Sequence, residues 1–108
     1  MALPDLTPEQ RAAALEKAAA ARRARAELKE RLKRQDTSLR QILADAEKDD
    51  VIGKMRVSAV LESLPGVGKV RAARVMERLE IASTRRVRGL GAKQRSALLA
   101  EFGGGAHP

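Results

Sequence analysis

Cysteine is absent from this chain of 108 residues, and aromatic side chains are reduced to Phe102 alone. Without cysteine the protein forms no disulfide, no zinc knuckle and no thiol nucleophile. With a single aromatic residue it has no platforms on which the bases of a nucleic-acid single strand could stack. The opening stretch "MALPDLTPEQ" lacks the apolar core of a secretory signal, so we expect a cytoplasmic protein.

The length of the chain excludes a second group of functions. About a hundred residues form one small domain, and a catalytic pocket would take up much of its core. We therefore expect a protein that is not an enzyme and that carries no metal and no cofactor.

Positive charge is what the sequence has in excess. Lysine and arginine number 22 against 14 acidic residues, and the net charge of +8 favours an anionic partner such as nucleic acid or a membrane surface. The alanine-rich N-terminal segment lacks the large apolar residues that a membrane-surface helix needs, so no membrane is expected as a partner. Duplex phosphates are the better fit.

The charge is also segregated along the chain. Residues 9–34 hold nine basic and four acidic side chains, residues 36–62 hold four and six, and residues 69–95 hold nine and two. This segregation predicts two electropositive surfaces, or one divided surface, joined by a neutral middle. The alternative is that the basic faces only keep the protein solvated.

A long N-terminal helix is predicted first. Thr7-Pro8-Glu9-Gln10 combines a capping threonine, a proline at the first helical position and a glutamine three residues after the cap. Strong helix formers follow for about 40 Å of helix. Only the second half, with Leu28 and Leu32 four residues apart, has side chains that can anchor on a core, so we expect the first half to project into solvent.

The rest of the chain predicts shorter helices, and no segment alternates with the period of a β-strand. Ser38 and Gln41 suggest a second capping box, "DDVIGKMRV" with Gly53 predicts a turn, and "VSAVLESL" predicts a helix that ends at Pro65. The predicted fold is all-α with about five helices: an extended basic helix over residues 1–35, a compact domain over 36–102 and a flexible tail over 103–108. Its core draws on apolar residues such as Val57, Val70 and Leu98.

The stretch "LPGVGKV", residues 64–70, places glycines and a lysine ahead of a helical pattern. It does not satisfy the requirements of a nucleotide-binding P-loop, because Ser63 stands where the first glycine belongs and Val70 lacks a hydroxyl for Mg²⁺. N–H groups at the start of the next helix instead suit the phosphate of a polymer. They belong to Val67, Gly68 and Lys69. The alternative is that the Pro-Gly pair merely reverses the chain.

Two sets of arginines follow this turn. Arg71, Arg74 and Arg78 recur on one face of the next helix. The segment "TRRVRGLGAKQR" then places Arg85, Arg86 and Arg88 in a glycine-containing loop with Lys93 beyond it. No acidic residue is close to these loop arginines in the sequence, which favours an anion as their partner.

These segments resemble a known family. "LPGVGKVRAARVMERLEI" and "TRRVRGLGAKQRSALLAEF" resemble the helix-two-turns-helix module of ribosomal protein S13 and of formamidopyrimidine-type glycosylases. With "MALPDLTPEQRAAALEKAAAARRARAELKERLK" added, nearly the whole chain, apart from "GGGAHP", resembles the actinobacterial integration host factor family. The resemblance implies a nucleoid-associated protein that binds duplex DNA with little sequence preference and bends or bridges it, affecting topology, nucleoid compaction and site-specific recombination.

The resemblance also implies which residues meet the DNA. The main surface comprises the turn residues Gly66, Val67, Gly68 and Lys69 and the loop residues Arg85, Arg86 and Arg88. Basic side chains near them add Arg71, Arg74 and Lys93. A second DNA surface comprises Lys33, Arg34, Lys54 and Arg56. The expected partners are double-stranded DNA and, through shared DNA, a recombinase or topoisomerase, and the protein is expected to be a monomer.

The sequence leaves one alternative function open and disfavours another, that of an accessory module of a DNA glycosylase or lyase. An S13-like module also fits rRNA phosphates, which would make the protein ribosome-associated. The glycosylases use the module beside a catalytic domain and a zinc finger, for which this chain has neither the length nor the cysteines. Sedimentation with ribosomes or with nucleoids would separate the ribosomal interpretation from the DNA-binding one.

Overall fold

The computed structural model describes residues 6–102, so the predicted tail over 103–108 lies outside the described residues, as do residues 1–5. The described part contains helices and no β-strand, which confirms the all-α prediction. Its helices are α1 (Pro8–Lys33), α2 (Leu39–Asp45), α3 (Asp50–Lys54), α4 (Val57–Glu62), α5 (Gly68–Arg78) and α6 (Ala92–Phe102), with a 3₁₀ turn at Val87–Gly89. None of them is both long and apolar enough to cross a membrane.

The long helix α1 begins with the predicted capping box. Gln10 N donates to Thr7 Oγ1 at 3.1 Å, and Thr7 N donates to Gln10 Oε1 at 3.0 Å. Its buried residues are Leu28 and Leu32, whereas Leu15 is 66% exposed. The helix is therefore attached to the core near its C-terminal end, and its first half projects as expected.

Helix α3 replaces the turn predicted around Gly53. Asp49 caps it, because its Oδ1 accepts from Val51 N at 2.9 Å and from Ile52 N at 3.3 Å. Ile52 and Gly53 are buried in this helix. The prediction was wrong because a side-chain cap and burial hold together a helix too short to form on intrinsic propensity.

The core collects apolar side chains from the end of α1 through α6. The largest of the fully buried side chains are Leu32, Ile42, Met55, Val57, Val60, Leu61, Val87 and Leu98. Val87, which sequence reasoning left out, is 1% exposed, and Val70, which it placed in the core, is 66% exposed. Val70 lies in the first turn of α5 on the face turned away from the core.

Candidate nucleic-acid interface

The glycine turn joins α4 to α5 through two left-handed backbone positions. Gly66 has φ +76° and Gly68 has φ +70°. A Cβ at either position would meet no atom within 4 Å. Conformation, and not lack of space, therefore requires glycine here. The same openness leaves the backbone of this turn accessible to a ligand.

The N-terminus of α5 offers N–H groups, although one fewer than the sequence predicts. Val67 N donates to Leu64 O at 3.2 Å, so the expectation that its N–H is available was wrong. No side chain caps α5, and within residues 6–102 no carbonyl outside the helix accepts from Gly68 N or Lys69 N. These two groups point out of the positive end of the helix dipole, where a phosphate is favoured.

The basic side chains of α5 divide into two groups. The Arg71 guanidinium lies 5.4 Å from the centroid of the Phe102 ring, and Arg78 Nη2 lies 2.7 Å from Glu101 Oε1. Both arginines thus hold α6 against α5. Lys69 and Arg74 are exposed and have no ion pair within the described part of the chain. Of the three arginines predicted on this face, Arg78 is ion-paired, whereas Arg71 and Arg74 have no ion pair among the described residues and keep their N–H donors for an outside anion.

The arginine loop lies alongside the junction of α3 and α4. Val57 N donates to Arg85 O at 2.9 Å, and Val87 N donates to Met55 O at 2.9 Å. Between these bonds Arg86 forms an antiparallel bridge with Arg56. This pairing fixes the backbone from which the loop arginines extend.

Each loop arginine has a hydrogen-bond partner within the protein. Arg85 Nη1 donates to Gly89 O at 3.0 Å, and Arg86 Nη1 donates to Lys54 O at 2.6 Å. Arg88 is in addition ion-paired, with its Nη2 2.9 Å from Asp50 Oδ1. No local acid pairs with these arginines, as the sequence indicated, but Arg88 has a distant acidic partner, 38 residues away in sequence.

The turn and the loop, predicted as parts of one main surface, lie at opposite ends of α4. Arg85 is bonded to the first residue of this helix, and the glycine turn follows its last residue. Six residues of helix span about 9 Å. Arg86 is instead joined directly to Lys54 and Arg56, which the sequence assigns to a second surface.

A groove of about 490 Å³ runs between α1 and the α3–α4 junction. One wall is a stripe of α1 at four-residue spacing: Lys17, Ala21, Arg25 and Lys29. The opposite side carries Lys54, Arg56 and Arg86, over an apolar floor of Val51, Met55 and Ala59. We call this feature the basic groove.

Among the residues that the structure describes, Asp50 is the one acidic residue that lines the basic groove. The hydrogen bond from Arg88, followed by the charges of Arg88 and Lys54, holds the pKa of this carboxyl below its usual value of 3.8. The charge of Lys17, on the opposite wall, acts in the same direction. Asp50 is therefore ionised at neutral pH and paired, and the groove keeps a net positive charge.

The remaining predicted residues lie outside the basic groove. Lys33 continues the α1 stripe one turn beyond Lys29 and lies 3.9 Å from Glu30, and Arg34 Nε donates to Asp36 at 3.0 Å. Lys93 is exposed in the first turn of α6, with no ion pair among the described residues. The structure thus brings together Lys54, Arg56 and Arg86 but not the whole predicted set.

The α1 wall of the groove was not predicted from the sequence. The positive charge of the N-terminal helix was noted, but no role was predicted for Lys17, Arg25 or Lys29. Their four-residue spacing was the available signal, because residues four apart share one face of a helix. What the sequence did not show is that α3 packs opposite this face.

Comparisons with known proteins agree with this architecture. A model described as the S13-like H2TH domain matches residues 32–102. A protein named Integration host factor from Mycobacterium tuberculosis is 72% identical over 103 residues, covering 95% of this chain and 98% of that protein. One of the same name from Streptomyces coelicolor is 67% identical over 103 residues, covering 95% and 96%. A solved structure of sIHF bound to an 8bp palindromic DNA is 62% identical with a TM-score of 0.78, covering 81% of this chain and 98% of that one.

Proposed function

We propose that this chain, which belongs to the integration host factor family and carries its S13-like H2TH domain, is a nucleoid-associated protein that binds duplex DNA mainly through phosphates. The observation that carries this proposal is the basic groove. Within residues 6–102, six cationic side chains line it, and the one carboxylate beside them is already paired. Such a concentration of positive charge is stabilised when a polyanion enters.

Two separate contact regions support the mode of binding. The first is the α5 N-terminus, where the N–H groups of Gly68 and Lys69 and the side chains of Lys69 and Arg74 meet one stretch of backbone. The second is the basic groove with Arg86. We call these the turn site and the groove site. Because α4 separates the two sites, they bind different phosphates. When both sites bind one duplex, the duplex is bent, and when each site binds its own duplex, the two duplexes are bridged.

The composition supports weak sequence selectivity. The described interface is built from lysine, arginine and backbone N–H groups, which contact phosphates without reading bases. Lys93 and Arg85 extend the positive surface from exposed positions. The protein acts as a monomer and influences recombinases and topoisomerases through the DNA they share, with no catalytic step of its own.

DNA is favoured over rRNA as the partner. The module occurs in both settings, but the relatives carry the name Integration host factor and the neighbouring structure holds DNA. Localisation in the nucleoid follows from this partner.

A salt titration of binding tests the proposal. If roughly six phosphates are neutralised, the logarithm of the affinity for a duplex should fall against the logarithm of the salt concentration with a slope near −5. A scrambled duplex should compete almost as well as any single sequence. A flat response to salt, or tighter binding to structured RNA than to the duplex, would contradict the proposal.

A further inference from the structure

Arg88 differs from its neighbours in the arginine loop, because its guanidinium has two acceptors on the protein, one of them a carboxylate. Nε and Nη2 donate to Ala46 O at 3.3 and 3.0 Å, and Nη2 also donates to Asp50 Oδ1 at 2.9 Å. Ala46 caps the C-terminus of α2, and Asp50 begins α3. One side chain therefore ties the 3₁₀ turn to two helices at once.

Gly53 makes room for this contact. A Cβ at residue 53 would lie 2.7 Å from Arg88 Nε and 2.8 Å from Arg88 Cζ, and also 2.7 Å from Ala46 O. The guanidinium thus lies against the backbone of α3 at Gly53, where a Cβ would leave too little space for it. A larger residue at position 53 would have to shift the Arg88 side chain or the Ala46 carbonyl.

The residues between Arg88 and the basic groove transmit this constraint. Val87 is 1% exposed and its N–H donates to Met55 O, and Arg86 on its other side donates to Lys54 O. Anchors thus occur at three consecutive residues. With Arg88 bonded to α2 and α3, the loop backbone is held where the Arg86 side chain reaches Lys54 O and lines the basic groove.

We propose that Arg88 is a positioning residue, which does not bind DNA itself but fixes the loop so that Arg86 presents its guanidinium to a phosphate in the groove. This inference rests on the proposed function. It predicts that Arg88 affects DNA binding through Arg86, and that a positive charge at position 88 is not sufficient for this effect. Lysine at this position keeps the charge but cannot reach two acceptors with a planar fork.

A double-mutant cycle tests the inference. Duplex binding is measured for the wild type, Arg88→Lys, Arg86→Ala and the combination, at a temperature where thermal melts show each protein folded. We expect Arg88→Lys to weaken duplex binding about fivefold in the wild-type background and to have no further effect when Arg86 is already alanine. A change of about fivefold corresponds to a coupling energy of the size found between neighbouring residues. Equal effects in both backgrounds, or binding by Arg88→Lys as tight as that of the wild type, would overturn the inference.

Gly53→Ala provides a second variant that changes no charge. Its added Cβ crowds both the Arg88 guanidinium and Ala46 O, which accepts from that guanidinium, and the same dependence on Arg86 is expected for it wherever a thermal melt shows it folded. This variant keeps the inference testable if Arg88→Lys does not fold. If Arg86→Ala loses binding but the variants at positions 88 and 53 have additive effects, only the positioning role is overturned. If the wild type does not bind the duplex, the proposed function is overturned.

Discussion

Arg86 donates from Nη1 to the carbonyl oxygen of Lys54 at 2.6 Å. A guanidinium has five N–H donors, so this bond holds the side chain in place and leaves other donors for a phosphate. A side chain that is already held loses less conformational entropy when it binds. Arg86 is accordingly the residue of the groove site on which we expect binding to depend most.

Replacing Arg86 by alanine should therefore weaken duplex binding and make the salt slope shallower by about one unit, since one phosphate contact is lost. The measurement is a binding titration at several salt concentrations, with a thermal melt to confirm folding.

Arg78→Ala is the matched control for Arg86. It removes the same charge, but from a side chain that is paired with Glu101 on α6. We expect its salt slope to equal that of the wild type within error. If the two variants lower the slope equally, the positive charge acts through the overall field and not through a contact at Arg86.

Gly68 tests the turn site. Its φ of +70° is tolerated by asparagine better than by other residues with a side chain, and a Cβ there meets no protein atom within 4 Å. Gly68→Asn should therefore melt within a few degrees of the wild type yet bind the duplex more weakly, because the new side chain stands between the backbone N–H and the phosphate.

The companion variant Gly68→Val adds backbone strain at the same position. It should lose both thermal stability and binding, since a β-branched residue is strongly disfavoured at positive φ. Binding by a folded Gly68→Asn protein that matches the wild type would show that the turn only reverses the chain.

The anchoring of α1 is tested by stability alone. Leu32 is 1% exposed, so Leu32→Ala should lower the free energy of unfolding by about 2–5 kcal/mol. Leu15 is 66% exposed, so Leu15→Ala should change it by less than about 0.5 kcal/mol. Chemical denaturation measures both. Equal effects would mean that the first half of α1 is packed in solution.

The Asp50–Arg88 pair predicts a pH dependence. Because the pKa of Asp50 is lowered in the folded protein, its pairing stabilises the fold above the usual value of 3.8 and is lost as the pH falls through the lowered value. Asp50→Asn should therefore melt below the wild type at neutral pH, and the difference should shrink as the pH falls below 3.8.

Asp49→Asn is the control for this pH series. It removes a charge from the same end of α3, but asparagine can still accept the two capping hydrogen bonds that Asp49 receives. We expect a smaller loss of thermal stability at neutral pH than for Asp50→Asn. A gap between Asp50→Asn and the wild type that stays constant down to the acid range would show that the ion pair contributes nothing.

Local patterns allowed much of the fold to be predicted. The capping box at Thr7, the anchor formed by Leu28 and Leu32 and the end of α4 ahead of Pro65 all depend on residues within a few positions of one another. The second cap shows the limit of such patterns. Ser38 accepts from Gln41 N as predicted, but the Gln41 side chain donates to Asp45.

The candidate site was predicted less completely because its contacts are long-range. The pairing of Arg88 with Asp50 spans 38 residues, and the bond from Arg86 to Lys54 spans 32. No local pattern shows that a loop arginine has an acid from another helix as its neighbour. The basic residues themselves could be identified from the sequence. Their division between the turn site, the groove site and contacts within the protein could not, because it depends on packing such as that of α3 against α1.

Because α1 is attached to the core at Leu28 and Leu32, near its C-terminal end, a tilt of this helix pivots about that end. Thr7 lies about 31 Å from Leu28 along the axis, so a tilt of about 10° moves the first turn by about 5 Å. Lys29, beside the anchored residues, hardly moves, whereas Lys17 moves by about 3 Å in the same tilt. The proposed groove site therefore has a fixed end at Lys29 and an end at Lys17 that a small tilt of α1 would adjust to the curvature of a bound duplex.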